Sequence, residues 1–204
     1  MSAPRLPAAV RDLLRTAPDA APDADLLTRF VTARDEVAFA GLVRRHGAAV
    51  WDVCRSVLGN RTDADDAFQA VFLTLARQAA SLRKPASVGA WLHGVAVRVS
   101  RKARTAAARR QLREADAPRR LAVEESDPSW VDVRAAVHDA LAALPGVYRE
   151  PLVACYLRGL TQDDAAAELG LTKAAVKKRL ERGRDRLRSA LVRRGLAPAA
   201  VLAA

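Results

Sequence analysis

The side chains of this chain best suited to act on a partner are cationic. Between Lys173 and Arg194 there are ten Lys and Arg residues against only Glu181 and Asp185. The stretch before them has the residue types of a short helix. Thr161 is its N-cap, and Asp163 and Asp164 sit in the first turn, where the helix dipole favours carboxylates. Gly170 supplies the left-handed backbone that closes such a helix after Leu169, and Thr172 caps a second one. Ala166 is small enough for the two helices to approach closely, and Val176 is the aliphatic residue that the turn buries. Together these make a helix-turn-helix. Its second helix carries Lys173, Lys177, Lys178, Arg179, Arg182 and Arg184, which suit the phosphates and base edges of a DNA major groove. A basic run alone is more often a solvated face; here the turn chemistry and the one-sided charge coincide.

Other reactive residue types form no catalytic or metal-binding set. Asp63, Asp65 and Asp66 could be read as metal ligands, or as the active site of a metal-dependent nuclease. More simply they are dipole-favoured residues at a helix start, or a surface for a basic partner. Cys54 and Cys155 read as two buried thiols in a reducing cytosol. His46 lies on an apolar stripe and reads as a core histidine, His93 as a partly exposed one. The three histidines have no metal-like spacing. No cofactor is expected, and no arrangement of nucleophile, base and oxyanion donors is visible.

The elements that must position these residues are helical throughout. The net charge of +11 favours a polyanionic partner, and it is unevenly placed. Residues 12–86 hold ten basic and ten acidic side chains, 87–120 nine and two, and 121–170 three and nine. Two basic blocks thus flank an acidic one. Apolar spacing predicts a helix from Asp23, with Leu26, Leu27 and Phe30. It predicts a long one through Phe39, Leu42, Val43, Val50, Val53 and Val57, ending near Gly59, and a third from Thr62, with Ala67, Phe68, Val71, Phe72 and Leu75 buried. The loop Ser81–Ser87 contains Arg83 and Lys84. Ser87 then caps a fourth helix with Trp91, Leu92 and Val95 on its apolar side and Arg98, Arg101, Lys102 and Arg104 opening its basic half.

Residues 114–129 are polar, proline-bearing and without an apolar face, and predict a flexible linker. Beyond it come a helix from Trp130 stopped at Pro145-Gly146, another from Val147 to Leu157 closed at Gly159, and the helix-turn-helix. The expected fold is all-α, two small helical domains joined by the linker. Its parts are a mobile segment 1–22, a first domain 23–113, the linker 114–129, a second domain 130–194 and a tail 195–204. No apolar run is long enough to span a membrane, so membrane insertion is not expected and a cytoplasmic location is.

This order of parts resembles the extracytoplasmic-function sigma factors of bacterial RNA polymerase, within the sigma-70 family, over roughly residues 23–192. Asp63-Ala64-Asp65-Asp66-Ala67-Phe68-Gln69-Ala70-Val71-Phe72 resembles that family's acidic polymerase-binding segment. Trp91-Leu92 with the basic helix after it resembles the promoter-melting segment. Ala140 to Pro145 resembles the start of the second domain, and Leu160 to Gly170 followed by Val176 to Leu180 resembles the helix-turn-helix. The resemblance implies a promoter-specificity factor with three functional surfaces. Asp63, Asp65, Asp66, Gln69 and Phe72 would bind core RNA polymerase. Arg83, Lys84, Trp91, Arg98, Arg101, Lys102 and Arg104 would recognise and melt the minus-ten element. Thr172, Lys173, Lys177, Lys178, Arg179, Arg182 and Arg184 would read the minus-thirty-five element. Core polymerase, promoter DNA and an anti-sigma factor are the implied partners. The other readings are a dimeric helix-turn-helix repressor or activator, and a basic protein that coats the nucleoid without sequence preference.

Overall fold

A computed structural model describes residues 21–82, 84–114 and 130–196. Almost all of the expected N-terminal segment and linker, the tail beyond Leu196, and Arg83 lie outside the described residues. Every regular element among the described residues is helical, and no described helix is long and apolar enough to cross a membrane.

The first unit is built on four helices: α1 (Asp23–Ala33), α2 (Glu36–Leu58), α3 (Arg61–Gln78) and α4 (Val88–Glu114). Each boundary has a local cause. The Asp35 carboxylate accepts the Ala38 amide and starts α2, and Gly59, at φ 75°, ends it. The cap of α3 is Asn60, whose side chain accepts the Asp63 amide at 2.8 Å, so the helix starts ahead of the expected Thr62. An asparagine with both acceptor and donor outcompetes the hydroxyl, because its amide group also reaches the Asp63 carboxylate. The loop before α4 is tightened by one-turn helices at Ala79–Ser81 and Pro85–Ser87. Leu26, Leu42, Val53, Val71, Leu75 and Leu92 interlock as the fully buried centre of this unit.

The second unit contains α5 (Trp130–Ala143), α6 (Gly146–Leu152), a π-helical turn (Val153–Leu157), α7 (Gln162–Leu169) and α8 (Lys173–Val192). The single helix expected over Val147–Leu157 is therefore two pieces. Pro151 has no amide hydrogen to continue the α-helical ladder, and the chain widens into the π turn just beyond it. Gly159, at φ 72°, closes the element as expected. Leu152, Val153, Ala165, Val176 and Leu180 form the core under the helix-turn-helix. A smaller cluster of Val133, Ala140, Leu191 and Leu196 ties α5 to the end of α8. Leu196 belongs to that cluster, so the packed unit extends into what the sequence assigns to the tail.

The two units lie against each other. Ala135 of α5 is buried in the core of the first unit, and Ala90 of α4 is buried in the core of the second. Apolar spacing identifies the stripe on each helix but not the element that will cover it, and α5 carries two such stripes.

Candidate nucleic-acid interface

The helix-turn-helix is fixed by its caps. Thr161 Oγ1 accepts the Asp164 amide at 3.1 Å, and Thr172 Oγ1 accepts the Ala175 amide at 3.2 Å. Gly170 sits at φ 63°, ψ 39°, and the Leu171 amide donates back to the Ala166 carbonyl at 2.9 Å. Ala166 and Val176 are buried where the turn requires them. Two contacts that the sequence reading missed complete the platform. Gly183 brings α8 against α6 so closely that a Cβ there would stand 2.9 Å from Leu152 Cδ1. Arg158, just past the π turn, is buried and forks onto both carboxylate oxygens of Glu168 in α7, one of them at 2.8 Å. A glycine four residues after Arg179 in a basic helix was the available sequence signal for the first. Nothing local marks the second.

On the outer face of α8 the cations are not equivalent. Lys173 is paired with Asp163 at 2.8 Å, both exposed. Arg184 donates to the Tyr156 hydroxyl at 3.3 Å, and the Arg186 guanidinium lies 4.8 Å from the Tyr148 ring centroid. Lys177, Lys178 and Arg182 are exposed and Arg179 is half-buried. These four have no acidic partner among the described residues, which leaves their charge available to a polyanion.

In the first unit, Lys84, Arg98, Arg101, Lys102 and Arg104 are exposed, while Trp91 is half-buried against the core. Arg101 faces Asp139 of α5 at 3.8 Å. On α3 the acidic turn is open: Asp66 is exposed, Asp65 pairs with Arg61 at 3.8 Å, and Asp63 is held by Asn60. Asp63 and Asp66 share a groove with Arg109, Arg110 and Arg113 of α4. Gln69 is exposed, but Phe72 is not available to a partner. It is buried, with its ring centroid 5.0 Å from that of Phe68, and serves the core. Among the described residues no three His, Cys, Asp or Glu are placed to hold a metal ion.

Two polar clusters that were not anticipated join the units. The Asp23 carboxylate, fully buried, accepts from His46 Nε2 at 2.8 Å and pairs with Arg45; Arg158 of the second unit stands 4.0 Å away. Burial pushes this carboxyl up, but the His46 hydrogen bond and the neighbouring cations outweigh it and bring the pKa down to about 2. In the other cluster, Asp52 takes Arg134 and, at 3.4 Å, His138 Nε2; the Nδ1 of His138 lies 3.3 Å from His93 Nε2. His93 is thus buried rather than partly exposed, because α5 covers it. Cys54 is buried and Cys155 half-buried, both free. Burial raises the Cys54 thiol to about 11 against an opposing bond with Ser100, and raises that of Cys155 as well, so neither is a ready nucleophile.

Comparison with known proteins follows the same division. Residues 42–110 match the family model described as sigma-70 region 2, and residues 134–187 match the one described as sigma-70 region 4. Two such regions in this order define a promoter-specificity factor of RNA polymerase rather than a catalyst. The chain is 35% identical over 170 residues to the ECF RNA polymerase sigma factor SigM of Mycobacterium tuberculosis (strain ATCC 25618 / H37Rv), covering 81% of this chain and 82% of SigM. It is 31% identical over 175 residues to the ECF RNA polymerase sigma factor SigK of Mycobacterium sp. (strain KMS), covering 83% and 91%. Among solved structures, CnrH in complex with the cytosolic domain of CnrY matches with 29% identity and a TM-score of 0.40, over 83% of this chain and 96% of that one. The chain belongs to the extracytoplasmic-function sigma factors of the sigma-70 family.

Proposed function

We propose that three separate surfaces divide the work of initiation, and that the protein makes or breaks no bond itself. The exposed face of α3 around Asp66 and Gln69 docks on core RNA polymerase, because an acidic turn is a poor surface for phosphates. Lys84, Trp91 and the basic half of α4 hold the separated strand at the minus-ten element, where basic groups and an aromatic platform offset the lost stacking of flipped bases. The amino-terminal half of α8 reads the minus-thirty-five element in the major groove. An anti-sigma factor is a further partner, and the site of action is the cytoplasm. The observation that carries this reading is the capped turn Gly170–Thr172, followed by exposed Lys177 and Lys178 without acidic partners among the described residues.

Transcription by core polymerase and this chain over a promoter library tests the whole. A dimeric repressor or a coating protein would support no initiation. Lys177→Ala should relax one position of minus-thirty-five selectivity at a cost of about 1–3 kcal/mol; Arg182→Ala should weaken all sequences alike. Arg101→Ala should impair duplex promoters more than pre-melted ones, and an equal defect on both would remove strand opening from its role. Replacing Asp66 and Gln69 together should weaken polymerase binding about tenfold, roughly 1.4 kcal/mol, while a probe of minus-thirty-five duplex is bound as before.

A further inference from the structure

A cleft lies where α2 ends, α3 begins and α5 passes beside them, apart from the three surfaces assigned above. Its volume is about 340 Å³, within the range of small-molecule sites. Arg55, Arg61 and Arg134 line it, together with Trp51, Ser56 and Val131. The fold does not consume these charges. Arg55 is exposed, donates to the Gly59 carbonyl at 3.1 Å, and has no acidic partner among the described residues. Arg61 is exposed and stands 3.8 Å from Asp65. Arg134 pairs with Asp52, the carboxylate on the cleft wall, and so offsets it. Three guanidinium groups against one carboxylate leave the lining cationic. The end of α2 and the start of α3 bring opposed helix dipoles to the rim, so the side chains set its sign.

Ser56 supplies an independent observation. It is only 5% exposed, and its hydroxyl has no hydrogen-bond partner among the described residues. A helical hydroxyl can donate to the carbonyl four residues back, as Thr28, Thr74, Thr105 and Ser189 do in this chain. Ser56 does not, and a buried donor left unpaired costs free energy that an acceptor in the cleft would recover. Planar guanidinium forks match the oxygens of a phosphate, and three of them suit a group with several anionic oxygens. Val131, 46% exposed, offers an apolar contact beside them. We propose that this cleft binds a small phosphorylated metabolite. Arg55, Arg61 and Arg134 hold its phosphate or diphosphate, the Ser56 hydroxyl donates to it, and Val131 meets its apolar part. The bound molecule touches both units without occupying a DNA-reading helix.

Calorimetric titration of the full chain with inorganic pyrophosphate and with ADP, at fixed ionic strength, tests this. Both should saturate one site per chain, and adenosine should not bind. Arg55→Gln and Arg61→Gln should each weaken pyrophosphate binding about tenfold or more, as expected for the loss of a charge-assisted hydrogen bond. Arg77→Gln removes an exposed charge at the opposite end of α3 and should bind as wild type does. An equal loss in that variant would mean diffuse attraction to a basic protein and overturn the proposal. So would the absence of saturable binding below about 1 mM. Ser56→Ala should weaken binding severalfold, yet leave the melting temperature of the ligand-free chain unchanged or higher, since the hydroxyl serves no partner in the fold. A lower melting temperature with undiminished binding would count against the site. If Arg55→Gln and Arg61→Gln lose affinity for random-sequence duplex while binding pyrophosphate normally, the arginines serve nucleic acid and the metabolite site is refuted.

Discussion

At the scale of single residues, the informative groups are ones that titrate. Burial pulls the His93 imidazole down to about 3, with His138 and Arg149 adding to the effect. The unfolded chain takes up a proton near pH 6.5 and the folded chain does not, so stability conferred by neutral His93 is complete above pH 6.5 and is lost as pH falls toward 3. At pH 5 the loss is about 2 kcal/mol. Asp23 acts in the same sense over a lower window: its folded pKa of about 2 lies under the ordinary carboxylate value, so its contribution is lost between pH 3.8 and 2. Thermal melts from pH 7 to 5 should therefore show falling stability in the wild type and a flatter profile in His93→Gln. An unchanged slope in the variant would assign the acid sensitivity to another group. Gly183 offers a steric test. Gly183→Leu would force α8 off Leu152 and Tyr148 and should cost about 1–3 kcal/mol by overpacking, read as a lower melting temperature of the second unit.

At the scale of elements, the helix-turn-helix is held by short-range chemistry, and so it could be read from sequence. Thr161, Gly170 and Thr172 each act on neighbours within four residues. Thr172→Ala should accordingly cost about 1 kcal/mol and weaken minus-thirty-five binding without altering which bases are preferred, as a binding series over substituted duplexes would reveal. The same short range explains why Gly59 and Gly159 were legible as helix ends, and why the start of α3 was misplaced by only a short step. Arg158, His93 and Phe72 were not legible in the same way. Arg158 finds Glu168 ten residues on and Asp23 far back in the chain, and His93 is covered by a helix that begins only at Trp130. Phe72 satisfies both a surface motif and an apolar stripe, and only packing decides between them. It decides for the core.

At the scale of the whole molecule, α4 has a consequence that is purely one of length. Its 27 residues make a rod about 40 Å long, of which roughly 35 Å lies between Trp91 and Glu114. From Glu114 to Trp130 the chain has sixteen further steps, which can span at most about 55 Å. Rod and tether together reach about 90 Å, before the breadth of the second unit is added. Promoter elements named for positions 25 base pairs apart are separated by about 85 Å of B-form DNA. The rod supplies more than a third of that distance without any ordering cost, since its conformation is already set. Deleting about five residues from 115–129 shortens the reach by about 18 Å and should leave initiation at a normally spaced promoter intact; deleting about twelve, or about 43 Å, should abolish it. Moving the minus-thirty-five element inward by one helical turn of DNA should then rescue the longer deletion in part. The basic arm of α4 would in that case serve as a ruler as well as a grip.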